Sequence, residues 1–284
     1  MNKTTAIPIF IGSFFLCLLL FLIIFSIAFA SLPALETIGF NILYMYMPAI
    51  YGSIVVSIIA IFIAIPLAVG LSIFIIEYLP DRIRSIFINI NDLMASFPTI
   101  IYGYWGLYEL GPFLNTKLFN FLHNYLGFLP FFSTKPSTAS YLLASIVLAI
   151  MISPFASSLI REVYSKIPNI LDESIYALGL GKWHVIKIKL SYIRKALFGA
   201  ITLAYGRGLG ETVAVDLTIG SSFNISYSLL APGITIPALI ANQFGSAFSE
   251  LELSSLFSLA LILFVIGSLF ILIGKFVFVR NGKR

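Results

Sequence analysis

Charged residues are scarce in this chain: Asp, Glu, Lys and Arg make up 10% of its 284 residues. Soluble domains carry about 25%, and a chain this poor in polar groups cannot cover a water-facing surface. A cytosolic enzyme, a disordered scaffold and a nucleic-acid binder are excluded on that ground. Cysteine is nearly absent too. The single Cys17 allows no internal disulfide, and its place in an apolar run makes it an inert small hydrophobe. Histidine occurs twice, at His123 and His184. His123 has no second His, Cys or carboxylate at ligand spacing and His184 lies among lysines, where it is expected to be solvated, so no metal site is expected. No G-x-x-x-x-G-K-[ST] loop is present, which excludes ATP hydrolysis by that route within the chain. There is also no Ser/His/Asp or Cys/His constellation and no pair of catalytic acids, so neither enzymatic activity nor a bound cofactor is expected.

What the chain has instead is long apolar runs. Hydrophobic residues make up 60% of it and aromatics 15%. Residues 4–35, 37–76, 136–160, 217–249 and 253–274 contain no charged residue. A helix needs roughly 20 apolar residues to cross the hydrocarbon core, and runs of this length are too long for barrel strands. The expected fold class is therefore all-α: a polytopic membrane protein with about six transmembrane helices near 7–31, 50–76, 86–110, 139–160, 196–220 and 253–279. The first run is too long for the apolar core of a signal peptide and lacks a small-residue cleavage site, so it is kept as a helix.

The basic residues set the orientation. If six helices alternate, 14 of the 17 Lys and Arg fall on one side: Lys3, Arg82, Arg84, Arg161, Lys166, Lys182, Lys187, Lys189, Arg194, Lys195, Lys275, Arg280, Lys283 and Arg284. Lys117 and Lys135 fall opposite, and Arg207 lies within a span. That asymmetry places both termini in the cytoplasm. Most of these charges are expected to form a solvated face that also attracts anionic membrane lipid.

Several local features add detail. Residues 115–132 mix polar residues with six aromatics and are expected to lie in the outer interface. Tyr102, Tyr104, Trp105 and Tyr108 form an expected aromatic belt. Gly206 and Gly210 form a G-x-x-x-G pair, suited to close helix packing. Pro66, Pro98 and Pro154 are expected to kink their helices. Residues 161–195 form the longest cytoplasmic stretch, with seven basic and three acidic residues and apolar residues at helical spacing. Such a stretch either lies on the membrane or docks a soluble partner.

Within it, Glu173-Ser174-Ile175, then Gly179, Ile188, Leu190 and Ser191 resemble the EAA loop of ABC-importer permeases, whose pattern is E-A-A, three residues, Gly, nine residues and I-x-L-P. Glu173 and Gly179 match in spacing. Ser174 and Ile175 replace the alanines, eight residues separate Gly179 from Ile188, and Ser191 stands where Pro is usual. Further stretches are similar to the C-type permeases of phosphate-specific importers. Phe97-Pro98-Thr99-Ile100-Ile101-Tyr102-Gly103 looks like I-P-S-V-V-Y-G. Gly206-Arg207-Gly208-Leu209-Gly210-Glu211-Thr212 looks like G-R-A-L-G-E-T. Ala231 to Pro237 and Ile240 to Phe244 look like P-G-x-T-I-A and I-A-N-E-F, with Gln243 for the usual Glu.

This resemblance, running from about residue 50 to 279, implies a type I importer (MetI-like) fold. It implies a first helix with its outer connection over 1–49, the permease domain over 50–279 and a basic tail over 280–284. It further implies a heterodimer with a sister A-type permease, two P-loop ATPase subunits carrying ATP and Mg, and an extracytoplasmic phosphate-binding protein. Glu173, Gly179, Ile188 and Leu190 become the expected ATPase-coupling residues. Arg207, Glu211 and Thr99 become the expected substrate pathway, with alternating access as the mechanism and the cytoplasmic membrane as the location. The residues themselves single out Arg207, because a charge at the centre of a span costs about 2.5–3.5 kcal/mol and needs a reason. Glu211, one turn on, is expected to pair with it, as a gate or as a structural bridge. Asp216 is a departure from the family segment, and Asp92 is expected at an interface. Three alternatives remain at this stage: a permease for sulfate, molybdate or phosphonate, a proton-coupled transporter using Glu211 and Asp216, and a non-transport scaffold.

Overall fold

The computed structural model describes residues 3–280, with side chains at 3–9, 169, 172, 176 and 277–280 outside the description. The basic tail over 281–284 and the side chains of Lys3 and Arg280 therefore lie outside the described residues. The described chain is helical, without strands. It opens with α1 (Lys3–Thr37), the short α2 (Asn41–Met45) and α3 (Met47–Ile73), which runs on through a π-helical turn at Phe74–Tyr78. Next come α4 (Asp81–Ser96), α5 (Thr99–Trp105), α6 (Gly111–Leu114) and α7 (Asn120–Leu126), the last three joined by π-helical turns. Then follow α8 (Tyr141–Tyr164), α9 (Asn169–Ala177), α10 (Lys182–Tyr192), α11 (Arg194–Leu209), α12 (Val213–Ile219), α13 (Ile236–Phe244) and α14 (Glu250–Arg280).

Among the described residues, four helical segments are long and apolar enough to cross a membrane: Phe10–Thr37, Met47–Tyr78, Tyr141–Tyr164 and Glu250–Phe276. The other two expected spans, 86–110 and 196–220, are each interrupted. Proline explains the first break. Pro98 has no N–H to donate and disfavours helical angles at the residue before it, and Phe97 and Pro98 are both extended, with ψ of 139° and 131°. Helix resumes at Thr99 and continues to Leu126, so residue 110 is not a boundary. The second break falls at Gly210, Glu211 and Thr212, where Gly raises the local cost of helix. Pro66 and Pro154, by contrast, sit inside the unbroken α3 and α8.

The core is built around α8, whose buried residues lie on nearly every side. Against it α3 turns a stripe of small residues, Ala60, Ala64, Ala68 and Ser72, which lets two backbones approach closely. Ser72 Oγ reaches across to Ser157 Oγ at 3.0 Å. Helices α1 and α14 pair at the edge, with large apolar side chains such as Phe14, Phe15, Leu269 and Leu272 exposed outward. Cys17 is exposed on that edge. Such faces suit lipid rather than water.

The first N–H groups of α8 find unusual partners. Tyr141 and Leu142 donate to the carbonyls of Ala231 and Leu229 at 3.1 and 2.8 Å, and Leu143 N donates to Ser140 Oγ. The loop between α12 and α13 thus folds back to satisfy a buried helix N-terminus, as buried backbone donors require. Ser221, at the start of that loop, takes φ 47°.

Two sequence expectations fail on packing. Gly206 and Gly210 meet no neighbouring helix; Gly208 between them does, with Ile152 Cδ1 2.4 Å from where its Cβ would stand. Tyr102 is not part of an exposed belt: it is buried and its hydroxyl donates to Met94 O at 2.7 Å. Tyr104, Trp105 and Tyr108 are exposed as the belt requires. In the 115–132 segment, Phe119 is buried, whereas Phe121, Tyr125, Phe128 and Phe131 stay exposed.

Candidate functional site

The breaks in the two interrupted helices lie close together. Beyond them, α5 crosses α12 at Gly103: a Cβ there would stand 3.0 Å from Ala214 Cα and 2.7 Å from Leu217 Cδ1. Before them, α4 ends beside α11, and Arg207 spans the gap. Its Nη2 donates to Ala95 O at 3.2 Å, satisfying one of the carbonyls left without a partner at the end of α4. A cation at a helix C-terminus is also favoured by the helix dipole. Its guanidinium lies 4.7 Å from the centroid of the Phe155 ring, a cation–π contact.

Arg207 and Glu211 do not form the expected ion pair, because the helix ends between them. Glu211 Oε1 instead accepts from Ala214 N at 3.2 Å and caps α12. Thr99 opens α5, half-buried. Among the described residues no hydrogen bond or ion pair joins Arg207, Glu211 and Thr99 to one another. What Arg207 faces is an open depression of about 540 Å³, lined also by Asp92, Ala95, Ser96, Phe155 and Ser158.

The charge balance of this depression is legible. Asp92 is its one carboxylate, and Arg161 Nη2 holds that group at 2.5 Å. Arg161 is itself buried, with Nη1 on Ser157 Oγ at 3.2 Å, so it is a structural strap and not part of a solvated basic face. Asn91 adds a second strap, donating to Pro154 O at 3.0 Å. With Asp92 held by Arg161, Arg207 forms no ion pair among the described residues. Its guanidinium carries five N–H donors, of which Nη2 meets Ala95 O. Asp216 serves elsewhere: it accepts from Asn242 Nδ2 at 2.8 Å and from Ser221 Oγ at 3.1 Å, tying α12 to α13.

Following α8 in the chain, α9 and α10 form a hairpin. The joint is Gly179, with φ of 67° and no neighbour within 4 Å of a Cβ. Glu173 is exposed on α9. Ile188 is also exposed, beside a shallow depression with Tyr192, Arg194 and Lys195. Leu190 packs inward, against the cluster of Tyr164, Ile167 and Ile193. The expected coupling residues therefore divide into an exposed set and one anchoring side chain. Left-handed geometry costs an L-residue roughly 1–2 kcal/mol, with Asn the mildest case. Gly179→Val is thus expected to strain the joint and raise proteolytic cleavage within the α9–α10 hairpin, while Gly179→Asn stays near the parent.

A further contact was not foreseen. Lys189, expected on a solvated face, is buried, and its Nζ lies 2.9 Å from Glu77 Oε1 at the end of α3. Tyr164 donates to the same oxygen at 2.6 Å. The signal was present: Glu77 is the first charge after the uncharged 37–76 run, an acid among the bases of its side. His123, by contrast, hydrogen-bonds Phe132 O at 3.0 Å, and among the described residues no group of His, Cys, Asp or Glu is placed to hold a metal.

A buried central helix, two interrupted helices and a projecting hairpin are an arrangement with a solved counterpart. Over 86% of this chain and 99% of that one, the fold matches a chain from the inward-facing MetNI methionine ABC transporter, with a TM-score of 0.63 and 13% identity. The chain is an all-α membrane protein with the MetI-like fold. No family model matches the chain. It is 41% identical over 278 residues to a probable phosphate transport system permease protein PstC of Methanocaldococcus jannaschii, covering 92% of this chain and 88% of that protein. It is 38% identical over 275 residues to the PstC of Mesorhizobium japonicum, covering 91% and 84%. The chain belongs to the PstC family of phosphate transport system permeases.

Proposed function

We propose that this subunit forms one half of an ATP-driven pathway for inorganic phosphate, with Arg207 as the residue that meets the anion. The supporting observation is the Arg207 guanidinium, without an ion pair among the described residues, set where two interrupted helices meet and facing an open depression. Broken helices at a transport site leave irregular backbone only where it lines a cavity. Arginine's planar donor fork matches phosphate oxygens. One such residue offsets part of the lost hydration without binding so tightly that release fails.

Drive comes from outside the chain. The exposed Glu173 and the Gly179 joint support docking of the α9–α10 hairpin on a P-loop ATPase, two copies of which carry the ATP and Mg. A sister A-type permease supplies the other half of the path, and an extracytoplasmic phosphate-binding protein delivers the anion. Closure of the ATPases exchanges outward-open and inward-open arrangements. The basic residues around 161–195 support a cytoplasmic hairpin in the cytoplasmic membrane, and with it cytoplasmic termini.

The test is uptake in vesicles holding this chain with the sister permease and ATPase, loaded binding protein outside and ATP inside. Phosphate is expected to accumulate only with ATP, and excess sulfate is not expected to compete. Uptake driven by a pH gradient without the ATPase, or of sulfate in place of phosphate, would overturn this function.

A further inference from the structure

Glu77 sits at the end of α3, in the π-helical turn Phe74–Tyr78, and its carboxylate is almost fully enclosed, with 8% of its side chain exposed. Three elements converge on it. Lys189 of α10, 6% exposed, lies 2.9 Å from Oε1. Tyr164, in the last turn of α8, donates to that same oxygen at 2.6 Å. Lys182, at the start of α10, donates to the Glu77 backbone carbonyl and lies 4.4 Å over the Tyr78 ring. Lys189 also lies 5.4 Å from the Tyr164 ring centroid.

The hairpin also makes apolar contacts, with Ile175, Val185 and Ile186 buried. Leu190 and Leu171 pack against Tyr164, Ile167 and Ile193, and apolar contacts of that kind slide without a fixed register. A buried ion pair does not: separating the two groups inside a low-dielectric site leaves both charges without compensation. Lys182 and Lys189 grip α3 from opposite parts of α10, so the helix can neither slide nor pivot on one point.

We propose that Glu77 is the positioning residue through which α10 moves the membrane helices: pushed from the cytoplasmic side, α10 carries α3 and α8 with it as one body. The inference rests on the reading that the α9–α10 hairpin docks on the ATPase, and adds which residue transmits the movement. Through α8 the movement reaches Phe155 and Arg161, which contact Arg207 and Asp92. This gives the joint a route to the depression.

Two readouts on the full reconstituted complex test it. The first is phosphate imported per ATP hydrolysed. Glu77→Gln keeps the size and still accepts from Tyr164 but removes the charge; Lys189→Gln removes the partner charge from the other side. Each is expected to bind the ATPase and keep basal hydrolysis while import per ATP falls about tenfold, and Lys189→Arg is expected to stay within about twofold of the parent; both figures are order-of-magnitude expectations for losing or keeping one buried charge contact. The second readout is the distance between spin labels on Lys187 and Phe62, both exposed, in a Cys17→Ser background. That distance should stay constant between nucleotide-free and ATP-bound complexes and broaden in Glu77→Gln. Failure of the parent chain to bind the ATPase would remove the docking reading itself. With binding intact, unchanged import per ATP in both Gln variants would overturn the role of Glu77. Loss of assembly in both, or uptake and hydrolysis falling in step, would reduce the pair to a structural strut and equally overturn it.

Discussion

Arg207→Gln is expected to abolish measurable phosphate uptake at low substrate concentration while the complex still assembles. Glutamine is shorter and gives up the Nη2 contact with the Ala95 carbonyl, but a carbonyl at a helix end beside an open depression can be satisfied by water. What it loses is the charge and the fork that face the depression. Hydrogen bonds to charged groups are worth about 1.5–3 kcal/mol, so the anion's hold at this point falls by about 10- to 100-fold. Glu211→Gln should do far less, because an amide oxygen still accepts from Ala214 N and only a helix-dipole contribution of about 0.3–1 kcal/mol is lost. Since the two side chains do not touch, the double variant should be additive within about 0.3–0.5 kcal/mol. A large coupling between them, measured as uptake and as stability in a double-mutant cycle, would restore the Arg207–Glu211 ion pair that the broken helix argues against.

Gly103→Leu is expected to have the largest structural effect of any single change at the site. The crossing of α5 and α12 leaves no room for a side chain: backbone, at Ala214 Cα, lies 3.0 Å from the Cβ position and cannot swing aside as a rotamer does. Overpacking typically costs about 1–3 kcal/mol, occasionally more, and leucine must push two helices apart. Gly103→Ala should fall between the parent and Gly103→Leu. Thermal unfolding of the detergent-purified complex measures this, with aggregation during purification expected for the leucine variant. Parent-like stability in Gly103→Leu would mean that the two interrupted helices do not cross here.

These expectations depend on features of unequal legibility. Continuous apolar runs outlined α1, α3, α8 and α14, because hydrocarbon length and hydropathy suffice to define a span. The breaks did not emerge from that pattern. Residues 97–98 interrupt the helix without a charge, and at 210–212 the charges Arg207 and Glu211 read as an intramembrane pair rather than as a break. Proline in a span suggests a kink, but Pro98 is a full stop, since both it and Phe97 take extended angles. The Arg207–Glu211 pairing failed for the same reason: four residues make one turn only if the helix is unbroken. The hairpin about Gly179 was legible through its motif, and its φ of 67° supplies the physical cause. Lys189 and Arg161 illustrate the opposite limit. Charge counting placed them on the basic side, but their burial against Glu77 and Asp92 depends on partners 112 and 69 positions away, which no local pattern reveals.

The central claim is that the Arg207 depression lies on an aqueous route for an anion. The direct measurement is the reactivity of a cysteine at Ser96, which lines that depression, in a Cys17→Ser chain within the assembled complex. An anionic thiosulfonate should react several-fold faster than a cationic one of similar size, added phosphate should slow it, and Arg207→Gln should remove the preference. No reaction from either side of the membrane, or a preference for the cationic reagent unaffected by Arg207→Gln, would contradict the account.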